Sequence, residues 1–201
     1  MMSKVSRRFL IGSGAAAALL PAIATPAFAL TEARARALID QVVAEINRVI
    51  ASGKSTGAMI ADFERIFARY ADVNIIAQST LGADARRASS GQLRAFTAAF
   101  QGYIARKYGK RFREFIGGQI EVTGVRPVKS WHEVRATVRL RGQAPFAVNF
   151  LVSDRSGRDL FFDLVIEGVS MRLSERTEIG AMLDRNGGNI DALIADVQRA
   201  G

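Results

Sequence analysis

Residues 145–173 read PFAVNFLVSDRSGRDLFFDLVIEGVSMRL. Bulky apolar residues take every second position over residues 146–152, which is the period of a strand that buries one face. A polar turn at residues 154–157 follows, and residues 160–166 resume the alternation on their even positions. At Glu167-Gly168 the apolar residues change from even to odd positions, and this odd alternation predicts a strand that continues to residue 173. We expect a β-bulge or a sharp bend at the glycine. The segment predicts core-facing strands with more apolar surface than one sheet face needs.

Two further strand patterns precede this segment. Residues 131–141 predict a strand with one buried and one solvated face, because apolar even positions alternate with polar or cationic odd positions from Val134 to Arg141. Residues 119–125 predict a shorter strand that ends before Pro127, and residues 142–145 predict a hairpin turn. We therefore expect a twisted antiparallel sheet of four to five strands.

Amphipathic helix patterns flank the strands on both sides, with capping residues at their starts and glycines at several of their ends. The predicted helices run from Thr31 to about Ser52, from Ser55 or Thr56 to Tyr70, from Asp72 to Gly82, from Ser89 or Ser90 to Gly117-Gly118 with a break at Gly109, from Thr177 to Arg185, and from Asn189 to Arg199. Helices first and strands later favour an α+β fold with helices packed on one face of the sheet. Because there are no repeats and no long linker, residues 30–201 are expected to form a single domain.

The composition limits the chemistry that this chain can perform. Its 201 residues include no cysteine and a single histidine, His132, which disfavours disulfides, thiolate or histidine zinc sites, and a Ser-His-Asp triad. We expect no metal and no cofactor. The formal net charge is +9, of which Lys4, Arg7 and Arg8 supply three, leaving +6 beyond residue 29. This charge fits an anionic partner, either nucleic acid or a membrane surface, or plain solubility.

The amino terminus has the pattern of an export signal. Residues 6–11 read SRRFLI, a Gly- and Ala-rich apolar run follows, and residues 27–29 form a small-x-small cleavage signal. A helix that spans a membrane needs about 20 apolar residues, and this apolar run is shorter. The paired arginines resemble the bacterial twin-arginine signal, and an ordinary secretory signal is the alternative. Either signal predicts that residues 1–29 are removed in the periplasm. Nucleic acid is absent there, so the charge points to membrane lipid or an acidic protein.

Residues 163–171 read DLVIEGVSM. Together with residues 178–180 and 187–197, they resemble the periplasmic phospholipid-shuttle component of the bacterial Mla (maintenance of lipid asymmetry) system, also called the toluene-tolerance auxiliary family. Residues 71–82, residues 92–100 and Tyr108 are similar to the amino-terminal half of that family. The resemblance implies an α+β fold, NTF2-like or cystatin-like in style, with a deep apolar cavity between sheet and helices.

The resemblance also implies a carrier, not an enzyme. Such a carrier exchanges glycerophospholipid between an outer-membrane lipoprotein complex and an inner-membrane ABC transporter complex. The twin-arginine-like signal departs from the family, for which an ordinary secretory signal is expected.

The residues suit a lipid carrier on chemical grounds. Two acyl chains of about 30 methylenes gain on the order of 24 kcal/mol on leaving water, at about 0.8 kcal/mol per CH₂, and a bilayer offers nearly the same gain. A cavity as apolar as the membrane therefore permits reversible exchange. The side chains expected to line it are Phe96, Phe100, Tyr103, Ile104, Val122, Val138, Phe146, Val148, Phe150, Leu164, Ile166, Val169 and Met171. Each is equally compatible with an ordinary core, because a core and a pocket wall share composition. Lys107, Lys110 and Arg111 are the candidates for the lipid phosphate at the mouth, and we expect a monomer.

Two alternatives from other functional classes stay open. An exported enzyme of an NTF2-like or cystatin-like fold would use Asp163 or Glu167 as a buried acid and His132 as its partner, since residues four apart in a strand share a face. A periplasmic protein-binding module without cargo would have a cavity too small for one acyl chain. The size and lining of the cavity therefore distinguish these classes.

Overall fold

A computed structural model describes residues 30–201, apart from the side chains of residues 112 and 113. The predicted export signal at residues 1–29 lies outside the described residues. The helices are α1 (Glu32–Ile50), α2 (Thr56–Tyr70), α3 (Val73–Leu81), α4 (Ser90–Gly109), α5 (Phe112–Phe115), α6 (Met171–Arg185) and α7 (Ile190–Arg199), with a 3-10 helix at Gly82–Arg86. The strands are β1 (Gln119–Val128), β2 (Trp131–Arg139), β3 (Phe146–Ser153), β4 (Leu160–Ile166) and β5 (Val169–Ser170). They form one antiparallel sheet in chain order, which confirms the α+β prediction.

Side-chain caps begin most of the helices where the sequence predicts them. Thr31, Asp72, Ser89 and Asn189 each accept a hydrogen bond from the backbone N–H three positions later. Each cap satisfies a donor that the helix itself leaves unpaired. The predicted break at Gly109 is also confirmed, because α4 ends there. A Cβ at this position would come within 2.7 Å of the side chain of a residue on α2, so the glycine allows the two helices to lie close together.

The bend predicted at Glu167-Gly168 is a hairpin turn. Glu167 and Gly168 have φ values of +48° and +85°, and the flanking residues Ile166 and Val169 pair across the two strands. Two consecutive left-handed residues are typical of the two-residue turns whose twist matches that of a β-hairpin. Glycine takes this conformation without the penalty that a Cβ brings.

The strand predicted to continue to residue 173 is wrong, because α6 begins at Met171. Ser170 caps this helix by accepting a hydrogen bond from Leu173 N at 3.1 Å. Asp163 fixes the junction, since its carboxylate accepts hydrogen bonds from the Ser170 hydroxyl at 2.6 Å and from Arg172 N at 3.0 Å. The helix predicted from Thr177 therefore starts six residues earlier. The apolar alternation over residues 169–173 concealed the cap.

Two strand details also differ from the sequence prediction. The pairing of β3 with β4 shifts between Leu151 and Val152, so Phe161 is buried in the core and Phe162 instead packs against Trp131. Strand β1 continues through Pro127 to Val128. A proline is tolerated there because β1 is an edge strand and needs no hydrogen bond from that nitrogen on its open side.

The helices cover one face of the sheet, as predicted. The even positions of β2 and β3 are buried against the helices, whereas Arg135 and Arg139 on the odd positions of β2 are exposed. Asn47 links α1 to the edge strand. Its side chain donates to Ile120 O at 3.0 Å and accepts from Ile120 N at 3.1 Å. Within residues 30–201, no helix combines the length and apolar character that crossing a membrane requires.

Candidate functional site

An apolar cavity of about 280 Å³ lies between the inner face of the sheet and helices α1, α2, α4 and α5. Of the side chains that line it, all but Arg111, Glu114, Gln143 and Glu167 are apolar or aromatic. An apolar cavity of about 150 Å³ is already large enough to hold benzene. The space beneath this sheet is therefore larger than a cavity that holds a small apolar molecule.

The four polar lining residues mark the mouth of the cavity. Arg111 lies just before α5, and Glu114 lies within it. Gln143 lies in the β2–β3 turn, and Glu167 lies in the β4–β5 turn. All four are exposed. These turns meet at one end of the sheet because adjacent strands are antiparallel. A ligand held here would bury its apolar part inside and keep a polar part at this end.

Eight of the thirteen residues predicted to line a cavity do so. They are Ile104, Val138, Phe146, Val148, Phe150, Leu164, Ile166 and Met171. Most come from the sheet, where the alternation of strands predicted the inward face. The structure therefore brings the sheet wall together largely as expected.

The other five predicted residues lie elsewhere. Phe96, Phe100 and Tyr103 are at most 1% exposed, but they pack inside the helical part of the core and not on the cavity. Val122 is half-buried on the edge strand and packs against the core. Val169 is 61% exposed, so its prediction is wrong, because β5 is the outermost strand and ends after two residues.

Ten apolar residues on the cavity were not predicted to line it. They are Val42, Ile46, Phe63, Ile66, Phe67, Tyr108, Phe115, Ile120, Leu140 and Phe161. Half of them come from the apolar stripes of α1 and α2. Those stripes predict that the residues face inward, but periodicity does not show whether an inward face meets other side chains or a space.

Of the three cationic residues proposed for a phosphate, the structure places only Arg111 on the cavity. Its side chain is exposed at the mouth and forms an ion pair with Glu114 at 3.4 Å. Lys107 donates instead to the carboxylates of Glu175 and Glu178. Lys110 donates to the backbone oxygen of Gly201.

A buried carboxylate lies directly behind the cavity wall. Glu175 is fully buried on α6 and accepts hydrogen bonds from Tyr108 at 2.7 Å, from Tyr103 at 2.9 Å and from Lys107 at 2.9 Å. Burial and the nearby carboxylate raise the pKa of both tyrosine hydroxyls, so they remain protonated donors. Because the Tyr108 hydroxyl is bound to Glu175, this part of the cavity wall presents an aromatic ring with its polar group already paired.

The three residues of the enzyme alternative, Asp163, Glu167 and His132, are not brought together. Asp163 accepts hydrogen bonds from Leu164 N and Ser170 and forms an ion pair with Arg172, so its carboxylate serves the junction of β4 and α6. Glu167 lies in an exposed turn. His132 pairs with β3 and is separated from Asp163 by that strand. Among residues 30–201, no three acidic or histidine side chains form a group that could hold a metal ion.

Fold and cavity together define a class of small α+β proteins in which an antiparallel sheet and covering helices enclose an apolar ligand space. The chain belongs to the MlaC protein family, whose family model matches residues 36–199. This membership confirms the resemblance carried by residues 163–171.

A solved structure with a similar fold is the phospholipid-binding protein from Ralstonia solanacearum in complex with a phospholipid. It is 17% identical to this chain with a TM-score of 0.71, and the match covers 82% of this chain and 95% of that chain. At this level of identity the likeness supports the fold.

Proposed function

We propose that this protein is a periplasmic carrier that shuttles glycerophospholipid between an outer-membrane lipoprotein complex and an inner-membrane ABC transporter complex, and so maintains outer-membrane lipid asymmetry. The observation that carries the proposal is the apolar cavity with exposed polar residues at one end. Membership in the MlaC family supports it, as does the phospholipid bound to the Ralstonia protein of similar fold. The family also favours a binding protein over an enzyme.

The cavity supplies the energetics that a carrier needs. Each methylene moved from water into an apolar site gains about 0.8 kcal/mol, and a bilayer gives nearly the same gain. Transfer between membrane and cavity is therefore close to balanced, so the docking partners can set the direction of flow. A site with many polar groups inside would lose this balance, because burying an unpaired polar group costs free energy.

The mouth suits the phosphate of a lipid headgroup. Arg111 lies there with an exposed guanidinium, whose fork of donors matches phosphate oxygens. Glu114 already pairs with it, so phosphate would compete with this carboxylate. Lys107 is engaged by two carboxylates behind the wall and contributes little at the mouth. We therefore assign the headgroup contact to Arg111 among the three candidates.

The location rests on the export pattern at residues 1–29. In the periplasm the net positive charge of the remaining chain would attract anionic lipid surfaces and acidic docking partners. We propose that the partner complexes contact the end of the sheet that carries the mouth, because lipid tails must pass there without crossing water. The carrier is proposed to act as a monomer.

Filling the cavity tests the proposal directly. Val148 lines the cavity on β3, whereas the neighbouring Ala147 faces solvent on the other side of the same strand. Val148→Trp should displace hydrocarbon. Loss of contact with two methylenes costs about 1.6 kcal/mol, which is about a 15-fold loss of affinity. Ala147→Trp should leave lipid uptake from phospholipid vesicles unchanged. Equal uptake by two folded variants would contradict a role of the cavity in lipid binding.

A further inference from the structure

The first described residue, Leu30, is attached to the sheet at its backbone nitrogen. Leu30 N donates to Asp154 Oδ2 at 2.9 Å, and the Leu30 side chain packs against the core. Asp154 begins the turn between β3 and β4. Thr31 follows at once as the cap of α1. Leu30 is the residue that directly follows the predicted cleavage position, Ala29.

A second contact links the same turn to α1. Arg34, in the first turn of the helix, donates to Asp159 through two nitrogens at 2.9 and 2.8 Å. Helix α1 also supplies Val42 and Ile46 to the cavity. The two contacts together hold one wall of the cavity to the sheet.

We propose that removal of the leader at the Ala29–Leu30 bond converts the Leu30–Asp154 hydrogen bond into an ion pair, which fastens α1 to the sheet more tightly in the mature protein. This inference rests on the export part of the proposed function. Hydrolysis of the bond by a leader peptidase consumes one water molecule. The hydroxyl of the water joins the Ala29 carbonyl, which leaves as a carboxylate, and the Leu30 nitrogen becomes an amine that takes up a proton.

The positive charge that cleavage creates on the Leu30 amine is stabilised by Asp154. An α-amino group has a pKa of about 7.7–8.0 in an unfolded chain, so it is mostly protonated at neutral pH. At the amino-terminal end of α1 a positive charge is unfavourable, because the helix dipole is positive there. Asp154 lies within hydrogen-bond distance to offset this charge. The bond to the Asp154 carboxylate is charge-assisted in both forms, and the ammonium of the processed protein adds a Coulomb attraction between opposite charges. In the precursor the same nitrogen is an uncharged amide.

The test compares the exported, processed protein with the uncleaved full-length chain, each with and without Asp154→Asn. Intact mass and amino-terminal sequencing first show where the processed protein starts, and we expect Leu30. Asp154→Asn should then lower the Tm of the processed protein by about 2–4 °C more than that of the precursor. Asp159→Asn is the matched control, because it removes the Arg34 contact and should lower both forms equally.

Acetylation of the Leu30 amine in the wild-type processed protein requires no variant to fold. Acetylation should lower the Tm of the processed protein by about 2–4 °C, as Asp154→Asn does. A start at any other residue, an equal effect of Asp154→Asn on both forms, or an acetylated protein as stable as the free amine would overturn the inference. Lipid content measured on the same samples reports on the carrier proposal separately, so the two can fail independently.

Discussion

Two apolar regions of this protein have similar residue composition, but one is filled by its own side chains and the other surrounds a space. In the helical core, defined by Phe96, Phe100 and Tyr103 on α4, neighbouring ring centroids lie 5.8 and 6.0 Å apart and each side chain is at most 1% exposed. Beneath the sheet, the same residue types surround a space of about 280 Å³. Hydrophobicity decides that both sets turn inward. Whether they meet each other depends on how the surrounding elements are held.

The elements around the two regions explain the difference. Helix α4 packs against α2, α3 and α7, and side chains from several helices fill the helical core. At the cavity, α1 lies on the edge of the sheet, where Asn47 binds the backbone of Ile120. That contact fixes α1 over β1. The inner positions of β3 and β4 therefore face the space between sheet and helices.

Truncation of one aromatic side chain in each region gives the largest expected contrast. Phe100→Ala should lower the free energy of unfolding by about 3–5 kcal/mol, because it leaves a cavity in a filled core. Phe146→Ala should cost only about 1–2 kcal/mol, because this half-buried ring already borders open space. Equilibrium urea unfolding of lipid-free protein measures both changes. Equal losses would mean that the two regions are packed alike.

The buried carboxylate that joins the two regions gives the next largest effect. Glu175 accepts from Tyr103 in the helical core and from Tyr108 on the cavity wall. Glu175→Gln should cost about 1–3 kcal/mol, since an amide cannot satisfy all three donors. The control is Glu178→Gln, whose partly exposed side chain also pairs with Lys107 and should cost at most about 1 kcal/mol. Thermal unfolding followed by circular dichroism would compare them, and a larger loss for the control would contradict the assigned role of Glu175.

The mouth of the cavity gives the smallest expected effect. Arg111→Gln should reduce uptake of an anionic phospholipid from vesicles by about two- to fivefold, which corresponds to the value of an exposed ion pair of up to about 1 kcal/mol. Lys110→Gln removes the same charge from a neighbouring residue that does not line the cavity, and uptake should be unchanged. Similar losses in both variants would indicate general attraction to the membrane and not a contact at the mouth.

Local signals in the sequence predicted most of the fold. Caps such as Thr31 and Ser89, and the alternation in β2 and β3, depend on neighbouring residues and are visible in one chain. The errors arose where tertiary contacts overrode the local pattern. Asp163 holds Ser170 in a cap and starts a helix inside an alternating segment. A register shift between β3 and β4 buries Phe161 where alternation favoured Phe162.

The candidate site was predicted well on its sheet side and poorly on its helix side. Residues such as Val138 and Phe150 line the cavity because strand alternation fixes their face. On α4 the apolar stripe passes from the helical core to the cavity, so Phe96 and Phe100 are in the first and Ile104 is in the second. The sequence does not encode that boundary locally, because it depends on where the neighbouring helices end.

The most direct test is native mass spectrometry of the protein purified from a bacterial host, followed by incubation with phospholipid vesicles. The carrier proposal predicts a bound adduct with the mass of a phospholipid, which solvent extraction removes and vesicles restore. A protein that carries no adduct of lipid mass and takes up none from vesicles would contradict the proposal that the cavity beneath the sheet holds hydrocarbon chains.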